Sequence, residues 1–148
     1  MNTQLIQRVL NTKAGLAALA LRVPVGIVLA AHGSQKLFAW FGGYGLEGTG
    51  QWMASIGLEP GYLMALLAGS AEFFGGLALV LGLLTRPAAV VTAFTMLVAI
   101  FSAHISNGLF LSNNGYEYAL TLLAVTVALA IQGGGTASVD KVLAERLR

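Results

Sequence analysis

The chain contains no cysteine. Disulfide frameworks, thiolate metal sites and thiol redox chemistry are therefore excluded. Charge is scarce as well: 9% of the 148 residues are charged, against ~25% in an ordinary soluble domain. Hydrophobic residues make up 57% of the chain, and its mean hydropathy is +0.79. A helical protein of this composition would have almost nothing to show to water. The expected class is an all-α integral membrane protein of one domain, residues 1–148, with the lipid bilayer as its first partner. The net charge of +2 rests on few groups and gives no argument for nucleic acid. No stretch alternates polar and apolar residues as a spanning barrel strand would.

Four apolar segments are present, at about 14–41, 61–84, 87–106 and 115–132. A hydrocarbon core needs about 20 helical residues to cross it, so all four fit as helices of a bundle. The first is too long for a signal-peptide core of ~15 residues and lacks a clear cleavage site, so it is expected to be retained. Gly42, Gly43 and Gly45 break it. A short interfacial helix fits the stretch around Gly50–Gly57, which Pro60 then ends. Thr85-Arg86-Pro87 is a tight link, with Pro87 in the first turn of the third helix, where proline is tolerated. Gly133-Gly134-Gly135 stops the fourth helix, and a short charged tail follows.

Lys and Arg are absent from the first and third loops and occur at both termini and in the second loop. The positive-inside rule then places both termini in the cytoplasm. Trp40, Phe41, Tyr44, Trp52, Tyr62, Tyr116 and Tyr118 fall at the opposite, outer interface as an aromatic belt. Arg22 and Arg86 lie near the cytoplasmic boundary. Arg22 reads as a snorkelling side chain and Arg86 as a topology determinant.

Glu72 stands in the middle of the second segment, ~17 Å from its outer end at 1.5 Å per residue. An acidic residue at a helix centre costs ~2.5–3.5 kcal/mol on insertion, and such residues usually face a partner in the bundle interior. Ala65, Gly69, Glu72 and Gly76 share one face, and small residues let helices approach closely. The small, weakly polar stripe Ala88, Thr92, Thr95, Ala99, Ser102 and Ser106 of the third segment is one surface that this face suits. In the first segment Arg22, Gly26, Leu29, Gly33 and Lys36 form one stripe, with His32 about a quarter turn away.

Five ionisable groups from four helices thus fall in the outer half: His32, Lys36, Glu72, His104 and Glu117. Each has a structural reading beside the functional one. Lys36 either snorkels outward or pairs with Glu72 or Glu117. His104 either packs at the interface or joins a site. Glu117 suits the positive end of the fourth helix as well as a site. Glu72 suits an interhelical hydrogen bond as well as ligand binding. Two histidines without defined spacing do not make a metal set, and no metal is assigned. No dinucleotide loop or nucleophile–base arrangement is present.

Several stretches, in order, resemble the DoxX family. They are His32-Gly33-Ser34-Gln35-Lys36-Leu37-Phe38, then Glu72-Phe73-Phe74-Gly75-Gly76-Leu77, then Gly82-Leu83-Leu84-Thr85-Arg86. Next come His104 to Gly108 with Phe110, then Gly115-Tyr116-Glu117-Tyr118, and a closing element from Gly133 to Asp140. In the closing element Thr136-Ala137 replaces the aromatic often found before the serine. The resemblance implies a small four-helix protein of the bacterial inner membrane, and its recurring residues fall on the same five positions. It also implies association with membrane redox systems, since one relative is a subunit of an archaeal thiosulfate:quinone oxidoreductase.

The function expected from these residues is a quinone-interacting or accessory subunit of a membrane oxidoreductase system, with redox protein partners. Catalysis by the chain itself is left open. An apolar helix pocket with a few hydrogen-bonding groups and a proton-exchanging carboxyl suits a quinone as cofactor. Two alternatives are a small-solute or ion transporter and a scaffold without chemistry. The small-residue faces also suit a homo-oligomer.

Overall fold

A computed structural model describes residues 3–147 of the chain. It begins with a short helix, α1 (Thr3–Leu10), which lies in a stretch that carries no apolar segment. The first long helix, α2 (Ala17–Phe38), ends three residues earlier than the sequence predicts. Ala39 and Phe41 take left-handed backbone angles there and turn the chain through a 3₁₀ turn at Trp40–Gly42. The interfacial helix is α3 (Gly45–Ser55), longer than the stretch around Gly50–Gly57. Then follow α4 (Gly61–Leu81) and α5 (Thr85–Ala99), the latter with Pro87 in its first turn. The α5 path continues through a wide π turn at Ile100–His104 and a 3₁₀ turn at Ile105–Asn107. The remaining helices are α6 (Glu117–Gln132) and α7 (Val139–Arg146). No strand occurs among the described residues.

Among the described residues, three stretches are long and apolar enough to cross a membrane: Ala17–Phe38, Gly61–Leu81 and Thr85–Asn107. The fourth, α6, has 16 residues, a length of ~24 Å. The four pack in the order α2, α4, α5, α6, and α6 returns to α2, so they close into a bundle. The buried side chains Leu29, Leu79, Met96, Ile100, Leu122 and Leu129 run up its centre.

The most extensive helix contact is between α2 and α4. A Cβ added at Gly33 would lie 2.3 Å from Phe73 N, and one at Gly76 would lie 2.5 Å from Ala30 N. The glycine face of α4 therefore packs backbone to backbone on α2, not on the stripe of α5. That stripe meets α4 one position over, where a Cβ at Gly75 would sit 2.6 Å from Thr92 Cγ2. Because α2 crosses at such short range, Lys36 is carried onto Glu72.

The end bearing both termini is closed by Arg22, and here the snorkelling reading is wrong. Arg22 is 2% exposed. Its Nε donates to Gly134 O at 3.0 Å and its Nη1 to Leu79 O at 3.0 Å. Nη1 also reaches Val80 O, and Nη2 reaches Ala137 O. The last carbonyls of a helix have no partner within it; a guanidinium at the end of α4 satisfies two of them and offsets the helix dipole. Asp140 performs the converse task. Buried at 1% exposure, its carboxylate accepts from Leu84 N at 2.7 Å and Thr85 N at 2.8 Å, at the start of α5. The fold folds the tail back so that one buried cation and one buried anion finish two helix ends.

Arg22→Lys tests this lock. An ammonium cannot span the same carbonyls, and a hydrogen bond to a charged group contributes ~1.5–3 kcal/mol. A loss of about 2 kcal/mol in unfolding free energy is expected, read by denaturation in mixed micelles. Unchanged stability would mean that the contacts to Gly134 and Ala137 carry no weight.

Candidate functional site

The Lys36 ammonium lies 2.6 Å from Glu72 Oε2. Lys36 is two residues before Phe38, the last residue of α2, close to the end of the bundle. Its long stem points inward instead of outward, because Glu72 offers the one carboxylate on the facing helix. The Glu72 side chain is 5% exposed and that of Lys36 is 21% exposed. The pair is thus buried at its acidic end and open at its basic end. Glu72 sits on the same α4 face as Gly69 and Gly76, which is why the backbone of α2 comes near enough for the contact.

The pair borders a cavity of about 510 Å³ in the outer half of the bundle. From α2 the cavity is lined by Leu29, His32 and Lys36, and from α4 by Met64, Leu67, Ala68, Ala71 and Glu72. From α5 and its continuation come Val91, Phe94, Thr95, Val98, Ser102 and His104, among others. Tyr118, Ala119 and Leu122 of α6 close one side, and Trp52 and Met53 of α3 lie across the outer end. Apart from a few groups the wall is apolar. Leu67, Val91 and Phe94 are 55%, 49% and 66% exposed while lining it. The cavity is partly open, and these exposed side chains of α4 and α5 place that part of its wall at the bundle surface.

Four of the five singled-out residues line this cavity: His32, Lys36, Glu72 and His104. His32 stacks at a tilt beside Tyr118, their ring centroids 5.9 Å apart. His104 Nδ1 is 2.9 Å from Asn114 O, so one ring nitrogen is engaged with the loop between α5 and α6. Glu117 is not among the lining residues. Its Oε1 accepts from Leu111 N at 2.6 Å, and Leu111 does line the cavity, so Glu117 holds the rim and not the interior. No group of three or more metal-ligating side chains occurs among the described residues.

Comparison with known proteins identifies the family. The DoxX family model matches residues 17–105. The chain belongs to the DoxX family. The matched region contains His32, Lys36, Glu72 and His104, the four residues that meet in the cavity. CatD of Bacillus subtilis (strain 168), provisionally named an oxidoreductase, is 34% identical over 120 residues, covering 81% of this chain and 83% of CatD. The inner membrane protein YqjF of Escherichia coli (strain K12) is 36% identical over 128 residues, covering 80% and 92%. An uncharacterised protein of Haemophilus influenzae (strain ATCC 51907 / DSM 11121 / KW20 / Rd) is 31% identical over 127 residues, covering 81% and 85%. No solved structure matches. With its apolar helices and these relatives, this DoxX protein is a multi-pass protein of the bacterial inner membrane.

Sequence reasoning put Tyr118 and Trp52 in the aromatic belt and so passed over their place on the cavity wall. The available signal was spacing: Tyr118 and Leu122 are four apart and share a helix face, whereas Glu117 is turned away by a further 100°. The partners of Arg22 and Asp140 carried no such signal, since they are backbone groups more than 50 positions away.

Proposed function

We propose that this DoxX protein binds a quinone or quinol drawn from the bilayer, as an accessory subunit of a membrane oxidoreductase system. The observation that carries this reading is the Lys36–Glu72 pair on the wall of an apolar cavity open toward lipid. Its volume falls within the ~300–1,000 Å³ usual for small-molecule sites. A lipophilic ring with two oxygens fits such a cavity because most of its surface meets apolar side chains. Lys36 donates a hydrogen bond to a carbonyl oxygen, and Glu72 accepts one from a hydroxyl. His32, beside Tyr118, offers a second hydrogen-bonding position on α2. The side opening lets the ring enter from the membrane without crossing water. A bound quinone would supply the two-electron chemistry; the chain supplies orientation, a dry environment and a carboxyl able to take or release a proton. The provisional naming of CatD as an oxidoreductase supports the same reading.

The test is direct. Protein purified in mild detergent is extracted, and quinone is quantified per mole of protein. Added ubiquinone or menaquinone analogues are then titrated against the fluorescence of Trp52, which lines the cavity. Quinone should co-purify and quench. Glu72→Gln should lower the affinity about tenfold, equivalent to ~1.4 kcal/mol. Quinone content no higher than in an unrelated membrane protein prepared alongside would end this reading.

A further inference from the structure

We infer that the groove between α1 and α5 is a binding site for one anionic phospholipid, its phosphate held between Arg8 and Arg86. A shallow, open groove lies on the surface at the end of the bundle that bears the termini. Its lining consists of Arg8, Val9, Arg86, Pro87, Val90 and Val91. Two guanidinium groups thus border a floor that is otherwise apolar. Neither has a carboxylate partner among the described residues.

Arg86 is held in place for this task. Its Nε donates to Asn11 O at 3.0 Å and its Nη1 to Ala130 O at 2.8 Å. The second terminal nitrogen has no acceptor within the described fold. An oriented guanidinium with one free edge presents donors to a phosphate oxygen in a fixed direction. Arg8 makes no hydrogen bond or ion pair among the described residues and is exposed, so it can close on the same phosphate from α1.

Below Arg86 the surface of α5 and of the π turn that continues it carries an apolar track. Val90, Phe94, Leu97 and Phe101 follow it at intervals of four, four, three and four, and all are exposed. Their span from Arg86 is ~22 Å of helix, enough to receive an extended acyl chain. A head with negative charge and a tail of hydrocarbon match this order of groups; a soluble phosphate matches only the first part. Basic pockets at the polar boundary of transmembrane helices are suited to anionic head groups. Val91 lines both this groove and the Lys36–Glu72 cavity, so the lipid lies beside the side opening. The lipid site itself does not depend on what that cavity binds.

The test uses the full chain, exchanged into detergent with equal amounts of phosphatidylglycerol and phosphatidylethanolamine and read by native mass spectrometry. Wild type should retain phosphatidylglycerol in preference. Arg8→Gln should lower that retention about fivefold, the effect of one basic residue near a membrane surface, and leave phosphatidylethanolamine unchanged. Arg8 makes no hydrogen bond or ion pair among the described residues, so this variant is decisive even where Arg86→Gln fails to fold. Val90→Asn should weaken the lipid as well. Equal retention of the two lipids by wild type, or undiminished phosphatidylglycerol in Arg8→Gln, overturns the proposal. Displacement of the lipid by millimolar inorganic phosphate would also overturn it, by showing a site for soluble phosphate.

Discussion

Lys36→Met is expected to cost the folded protein about 3 kcal/mol. Removing one partner of a buried ion pair strands the other charge, at a typical ~3–5 kcal/mol. The low end applies because Lys36 keeps 21% of its side chain exposed, where solvent screens part of the attraction. The double variant Lys36→Met/Glu72→Leu should recover most of that loss, since a pair replaced by apolar groups of similar size is often neutral or better. A double-mutant cycle in mixed micelles measures both. If the double variant is as unstable as the single, or the single is as stable as wild type, the pair is not the buried contact described above. The same double variant separates stability from binding: it should fold and still fail to retain quinone.

The second large effect is expected from one methyl group. Gly33→Ala places a Cβ 2.3 Å from Phe73 N, 2.7 Å from Gly69 O and 2.7 Å from Phe73 Cα. All three atoms are backbone of α4, so no side chain can rotate away. Overpacking costs ~1–3 kcal/mol where side chains can adjust; here the helices must separate, and a loss of about 3 kcal/mol or more is expected. Separation also lengthens the Lys36–Glu72 contact, so quinone retention should fall with stability. Gly15→Ala serves as the control. Nothing lies within 4 Å of its added Cβ, and its effect should stay within ~0.5 kcal/mol, as at ordinary surface positions. Equal behaviour of the two variants in a thermal unfolding series would refute close helix crossing at Gly33.

The parts of the fold legible in the sequence were those written in hydrophobicity and in local breakers. Glu72 announced itself by its setting in an apolar run, and Pro60 and Gly133 marked helix ends correctly, whereas α5 starts at Thr85, two residues before Pro87. The boundaries were less legible. Residues 39–41 stay apolar after α2 has stopped, because left-handed turns at Ala39 and Phe41 end the helix without a sequence signal. The short helices α1 and α7 were missed because each has only eight residues, and their stability comes from docking on the bundle rather than from helix propensity.

Composition and periodicity alone determined that this is an all-helical membrane protein with ionisable groups gathered in one half of the bundle. Those properties follow from transfer free energy, which each residue carries into any fold. Tertiary structure decided the pairings. It sent Lys36 inward to Glu72, kept Glu117 on the rim, and buried Arg22 against four carbonyls. The reason is geometric: a side chain's partner depends on which backbones approach, and that is set by glycines on facing helices far apart in the chain.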